Sequence, residues 1–316
     1  MFKTRLIVLA CLAMAVLASC NPKEKARMPK QFTAEQLYNN LSVGAAGFSA
    51  DASKILVDNH STGIYNVFEL NIADTTFKPL THSKKESFFA VDYLPGSAKY
   101  IFSADQGGNE NSHLYLANQA DTLVRDLTPW PNSANNFAGW SADKKAMYIT
   151  SNQRNPQFFD IWKLDTLTWK PTLLYQNNEG LDPAGVSKSE RYIALVKSIT
   201  TDKNELYLYD QSTKTSKRLS NDHEATWNPA GFEKNDSIMY YTTNDGSEFS
   251  YLVKYHINSG KSEKIFEDKW DVAGMSLSEN EKYHTIFVNE DGKNKILLFD
   301  HATGKTVSLP EIKDGD

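Results

Sequence analysis

The stretch Ala138–Asp165, AGWSADKKAMYITSNQRNPQFFDIWKLD, decides the fold. A small residue, an aromatic and Ser141 lead into a polar turn, Ala142-Asp143-Lys144-Lys145. An apolar run follows, Ala146–Ile149, then a loop of Asn, Gln and Pro, then a second apolar run, Ile161–Leu164. Short β-prone runs joined by tight turns read as antiparallel strands. The pattern recurs. Anchored on the residue equivalent to Trp140, it starts at Phe48, Tyr93, Trp140, Val186, Phe232 and Met275, in steps of 45, 47, 46, 46 and 43 residues. A period in the mid-forties with four strands per unit is the signature of a β-propeller. The expectation is all-β: six four-stranded blades of WD-like kind, beginning near 47, 92, 139, 185, 231 and 274. They either close as six or leave an incomplete seven- or eight-bladed ring.

Within each unit, strand A is the run before the Ser. Strand B is expected at Ile55–Val57, Tyr100–Phe102, Ala146–Ile149, Tyr192–Val196, Ile238–Tyr241 and His284–Val288. Strand C is expected at Val67–Leu70, Leu114–Leu116, Ile161–Leu164, Leu206–Tyr209, Leu252–Tyr255 and Ile296–Phe299. Strand B is apolar on both faces, as a central strand between packed blades must be. Strand D follows hairpins such as Asn258–Lys261 and Thr303–Lys305 and is the weak outer edge. Antiparallel alternation puts the monotonous A–B turns on one face. The variable B–C loops, Asn59–Tyr65, Asp105–Ser112, Asn152–Phe159, Ser198–Asn204, Asn244–Phe249 and Asn289–Asn294, lie on the other. The variable face is the expected working face.

The first residues read as an address. Lys3 and Arg5 precede an apolar core, Leu6–Ala18, too short for a comfortable membrane span. The run Leu17-Ala18-Ser19-Cys20, followed by polar Asn21-Pro22-Lys23, resembles a bacterial lipoprotein signal, with lipid attachment at Cys20. The expected organisation is a leader over 1–19, a tether over 20–32 and the propeller over 33–316. The protein is then exported and anchored to the inner or outer membrane by its lipid. Thr33-Ala34-Glu35-Gln36 reads as a capping box opening a short helix to about Asn40.

Net charge is −5, and loss of Lys3 and Arg5 with the leader makes it −7, so no basic field argues for nucleic acid. Both cysteines, Cys11 and Cys20, precede the repeats, which excludes a disulfide or a Cys-based metal site within them. None of the seven histidines has metal-ligand spacing, and no cofactor is expected. Gly-x-Ser occurs at Gly47–Ser49, Gly139–Ser141 and Gly274–Ser276, each time without the closing Gly of a nucleophile elbow. These serines are expected to enter β-turns and bond local backbone.

Two loops draw attention as a binding surface. Asp105–His113, DQGGNENSH, is dense in oxygen donors. Asp105, Asn109 and Asn111 either hold Ca²⁺ or solvate a glycine turn, the plainer reading, and Glu110 offers a carboxylate to a ligand's amine. Phe158 and Phe159 beside Arg154 either line a peptide-binding surface or fill the blade core, the plainer reading.

The segments Thr62–Phe68, Ser103–Leu116 (SADQGGNENSHLYL), Asn152–Asp160 and Asn178–Asp182 resemble the propeller of secreted prolyl oligopeptidase family serine peptidases from Bacteroidetes-type bacteria. The likeness runs from about Phe32 to the C-terminus. It implies a seven- or eight-bladed propeller ahead of an α/β-hydrolase domain, gating the active site and binding the substrate's N-terminal part. Six units end at Asp316 with no G-x-S-x-G, so the resemblance implies a propeller portion with no catalytic residue of its own, whose missing partner is a hydrolase domain. The bare repeat also resembles the TolB-type propeller, which implies a stand-alone scaffold for a peptide or protein ligand.

Overall fold

The structure, a computed structural model, describes residues 31–118 and 124–310. Residues up to Ser42 form a unit of their own, and Val43 onward forms the second. In the first, helix α1 (Ala34–Tyr38) starts as its sequence dictates. The Thr33 hydroxyl accepts from the Gln36 N–H and the Gln36 side chain accepts from the Thr33 N–H. The leader and Cys20 lie outside the described residues.

The second unit is six antiparallel four-stranded sheets. Blade 1 holds β1 (Val43–Phe48), β2 (Lys54–Asn59), β3 (Asn66–Asn71) and β4 (Phe77–Pro79). Blade 2 holds β5 (Phe89–Tyr93), β6 (Tyr100–Ala104), β7 (His113–Ala117) and β8 (Arg125–Asp126). Blade 3 holds β9 (Asn135–Trp140), β10 (Ala146–Ser151), β11 (Asp160–Asp165) and β12 (Pro171–Tyr175). Blade 4 holds β13 (Asp182–Val186), β14 (Tyr192–Ser198), β15 (Asn204–Asp210) and β16 (Thr215–Arg218). Blade 5 holds β17 (Trp227–Phe232), β18 (Ile238–Thr243), β19 (Tyr251–His256) and β20 (Lys261–Phe266). Blade 6 holds β21 (Asp271–Leu277), β22 (Tyr283–Glu290), β23 (Lys293–Asp300) and β24 (Thr306–Val307). All expected B and C strands are present. The fourth strands are the weakest, down to two residues in β8 and β24.

Packing follows the period of two. On β10, Met147 and Ile149 join Ile101, Leu114 and Leu116 of blade 2, whereas Tyr148 turns the other way, towards Ile193 and Leu195 of blade 4. Ala194 and Leu206 meet Met239 and Tyr241, and Tyr240 meets Ile286 and Val288. Leu56 and Val67 meet Tyr100 and Phe102. Five clusters thus weld six blades. Among the described residues none joins blade 6 to blade 1. There Val57 and Phe68 are buried, but Val43, Phe48 and Phe77 are exposed, and blade 6 turns half-buried Phe287 and Leu298 and exposed Ile296 outward.

First strands stand against first strands, β1 on β5, β13 on β17 and β17 on β21, so they gather about the axis. Each carries a bulge at one repeat position. Val91, Ala138, Ala184, Ala230 and Ala273 are skipped in the pairing with the second strand, and in blade 1 Ala46-Gly47 is skipped. A glycine follows the bulged residue in every blade but the second, and at Gly139 and Gly231 its φ is 121° and 126°, where glycine alone is unstrained.

The A–B turns are built by the repeat serine. Ser141 Oγ donates to Asp143 Oδ1 (2.7 Å) and accepts from the Ala146 N–H (2.9 Å), and Ser49 does the same with Asp51 and Lys54. The Ser49 hydroxyl, with the Ser53 N–H and hydroxyl, holds the Asp51 carboxyl down at about 2. The Gly-x-Ser serines of blades 1 and 3 are therefore turn residues, as expected. In blade 6 the expectation fails by two positions. Ser276 lies inside β21, paired with Thr285, and the turn is entered by Ser278, which bonds Asn280 and the Tyr283 N–H. The expected B–C loop Asn289–Asn294 is also corrected. It is a two-residue hairpin, Asp291-Gly292, with φ of 53° and 76°, because Asp-Gly suits the twist of a tight β-hairpin.

Blades 5 and 6 share a titratable cluster. His284 and His301 meet Nδ1 to Nδ1 at 3.1 Å, and His284 stacks on Phe299. His301 Nε2 lies 3.6 Å from Glu233, which accepts the Tyr240 hydroxyl at 2.8 Å. Burial, then the charge of His301, holds the His284 pKa below its ordinary 6.5. As pH falls below 6.5 the unfolded chain takes up a proton that folded His284 refuses, so stability falls until pH passes the lowered value. Asp210, at about 2 beside Arg191, loses its contribution only below 3.8, whereas Asp58 and Asp182, whose carboxyls burial raises, take up protons in the folded chain first and oppose the drop. The expected result is a Tm that drops between pH 6.5 and 5. His284→Gln flattens the drop, and an unchanged slope in that variant refutes the assignment.

Candidate functional site at the axial mouth

Two residues before the bulged residue, and three before the position that follows it, every first strand places one residue near the face of B–C loops. In blade order they are Gly44, Phe89, Asn136, Asp182, Asn228 and Asp271, all exposed except the half-buried Gly44. The same repeat position in six blades makes a ring at the end of the axis. Four consecutive blades, 3 to 6, contribute oxygen-bearing side chains to it. Asn228 Oδ1 accepts from Asn204 Nδ2 (3.2 Å), and Asp271 Oδ1 accepts from the Ser250 N–H (2.9 Å). Asp182 has only a long contact to Asn177 Nδ2 (3.4 Å), and burial raises its carboxyl pKa. The bulge position itself is alanine in five blades, Ala46, Ala138, Ala184, Ala230 and Ala273, and Val91 in blade 2.

The loop residues picked out from sequence sit at the rim. In the blade 2 loop, Asp105 Oδ2 accepts from the Glu110 N–H (2.9 Å) and Asn109 Oδ1 from the Asn111 N–H (3.0 Å). Gly107 and Gly108 adopt positive φ, and the Gly107 N–H donates to Glu86 (2.9 Å). The loop's oxygens thus face its own N–H groups. Glu110 is exposed, with φ of 60°, and Asn111 is half-buried. Among the described residues no three His, Cys, Asp or Glu side chains are grouped to hold a metal.

Arg154 is tied into the structure of its own loop. Its guanidinium forks onto Asp160, Nε to Oδ2 at 2.7 Å and Nη2 to Oδ1 at 2.9 Å, and also donates to the Asn177 carbonyl. Asp160 is fully buried. Arg154 therefore ties the B–C loop of blade 3 to the connection leading into blade 4. Phe158 lies over Gly180 in that connection, where a Cβ would sit 3.3 Å from the ring. Phe158 and Phe159 are half-buried and, among the described residues, are in none of the five core clusters. The residues brought together at the mouth, Asp182 and Phe158 through the 177–181 connection, were not joined by the sequence reading. The repeat offset of three before the glycine was the available signal for Asp182.

The comparisons agree with this architecture. Residues 77–314 match the prolyl oligopeptidase N-terminal β-propeller domain. The chain is 26% identical over 192 residues to a dipeptidyl aminopeptidase BIII of Pseudoxanthomonas mexicana, covering 59% of this chain but only 27% of that protein. A Mycobacterium tuberculosis puromycin-hydrolyzing peptidase superposes with TM-score 0.63 at 11% identity, over 85% of this chain and 46% of that one. TolB from Acinetobacter baumannii superposes with TM-score 0.52 at 15% identity, over 89% and 74%. These two likenesses are of fold. The chain belongs to the prolyl oligopeptidase N-terminal β-propeller family.

Proposed function

We propose that this propeller is exported, held at a bacterial membrane by lipid on Cys20, and binds the N-terminal part of peptides at the mouth on its B–C face. It is the substrate-gating portion of a prolyl oligopeptidase-family peptidase, and catalysis belongs to a hydrolase partner. The observation that carries this reading is the set Asn136, Asp182, Asn228 and Asp271, all exposed and all at one repeat position of four consecutive first strands. Carboxylates and amide oxygens in a partly desolvated mouth suit an ammonium group, and the aromatic rim of Phe89 and Phe158 suits an apolar side chain beside it.

The test is fluorescence anisotropy with the exported chain carrying Cys20→Ser. The probe is a pentapeptide labelled at its C-terminal lysine, with a free or an acetylated N-terminus. The free form is expected to bind, acetylation to weaken it about tenfold, and Asp182→Asn with Asp271→Asn to abolish the difference. Equal binding of both forms overturns the reading. Intact mass of the native protein separates the alternative. A lipidated species below the 35.6 kDa of the full chain would mean a stand-alone TolB-like scaffold, and a much larger one a peptidase.

A further inference from the structure

At the opposite end of the axis the A–B turns bring lysines and one carboxylate together. The second residue of the A–B turn is Ala142 in blade 3, Lys188 in blade 4, Lys234 in blade 5 and Glu279 in blade 6. With Ser189 these four line one depression of about 380 Å³. Lys144, in the same turn as Ala142, reaches across from blade 3 to blade 6 and meets Glu279 Oε1 at 3.0 Å. Three lysines from three consecutive blades thus converge on one carboxylate. Glu279 remains 73% exposed, and Lys144 37%. The neighbouring acids have their own donors, although Asp236 uses only Oδ2 and its buried Oδ1 has none. Asp143 caps its own turn, Asp236 accepts from Ser187 and Ser189, and Glu281 accepts from the Lys234 N–H. We propose that this depression is a binding site for a carboxylate-bearing ligand, and that the Glu279 carboxylate is its built-in occupant.

The charges support this. Lys144 first, then Lys188 and Lys234, hold the Glu279 carboxyl below the ordinary range, so all three act on whatever anion sits there. An exposed Lys–Glu pair is weak and salt-screened, and an external carboxylate therefore needs little advantage to displace it. Displacement also frees Lys144 from blade 6, which untethers the two blades across the axis. The site is independent of the peptide mouth at the other end and stands or falls without it.

The test is an NMR titration of the exported chain carrying Cys20→Ser, with and without Glu279→Gln. The probes are N-acetyl-tetraalanine with a free carboxylate, its C-terminal amide, and inorganic phosphate. The carboxylate peptide is expected to bind the Glu279→Gln chain at least fivefold tighter than the chain retaining Glu279. The amide is expected to give no shifts, and Lys188→Ala with Lys234→Ala to remove binding. Equal affinity for the two chains, or amide binding as tight as the acid, overturns the proposal. Phosphate binding without carboxylate binding overturns the assignment of ligand class. If Glu279→Gln fails to fold, the chain with Glu279 still decides. The free-acid peptide must raise the pH midpoint of the Glu279 carboxyl resonance, and an unmoved midpoint at saturation of the added probe refutes the site.

Discussion

Arg154→Ala is expected to lower stability by about 3–5 kcal/mol, because it strands a buried carboxylate. Asp160 is fully buried and its oxygens accept from Arg154 Nε and Nη2 and from the Asn177 N–H. Removing the guanidinium leaves one backbone donor against a full negative charge. For a chain of this size the loss corresponds to a fall in Tm of about 6 °C or more. Arg154→Lys keeps the charge and loses the fork, so it falls between. Asp160→Asn added to Arg154→Ala restores part of the loss, because the uncompensated charge is gone. A melt of Arg154→Ala indistinguishable from the parent chain refutes the argument. The same variant loosens the loop that carries Phe158, so weaker peptide binding by Arg154→Ala alone is no sign of ligand contact. Phe158→Ala, which leaves the fork intact, is the variant that reads the rim.

That fork also marks where sequence reasoning stopped. The spacing from Arg154 to Asp160 is visible in the chain, but a loop of Asn, Gln and Pro does not reveal whether the two side chains meet or diverge. The third partner, the Asn177 carbonyl, comes from a connection 23 residues away. By contrast, the blades were legible because each strand alternates faces between two neighbours, which imposes an apolar central strand at every repeat. The serine turns were legible for a similar reason, since one hydroxyl satisfies two groups within five residues. Where one unit changes length, as in blade 6 with β21 running on to Leu277, the anchor slips and Ser276 is misassigned in place of Ser278. The polar mouth and the lysine depression needed register. Asp182 and Asp271, or Lys188 and Lys234, are far apart in sequence and become neighbours only when the bulge and the turn are aligned from blade to blade.

Gly47→Ala is expected to destabilise the propeller by about 2–4 kcal/mol through overpacking at the axis and the loss of one hydrogen bond. The glycine that follows the bulge is Gly139, Gly185, Gly231 and Gly274 in four other blades, and blade 2 alone has Asp92 there. Asp92 Oδ2 accepts from Trp140 Nε1 at 2.8 Å, and Oδ1 accepts from the Tyr93 N–H at 2.7 Å. A Cβ on Gly47 would sit 1.7 Å from Asp92 Oδ1 and 2.7 Å from its Cγ. The carboxylate cannot retreat without releasing Trp140, whose ring packs edge-on against Phe137 in the cluster between blades 2 and 3. The strain of one methyl in blade 1 is thereby passed through blade 2 to blade 3. Asp92→Gly restores the repeat consensus of this chain and makes room for the methyl, at the expense of the Trp140 bond. In the Gly47→Ala background it should recover a good part of the loss, and alone it should be mildly destabilising. Thermal melts of the two single variants and the double complete the cycle. Additive losses would mean that Gly47 and Asp92 do not contend for the same space, and the axial packing described for blades 1 to 3 would be wrong.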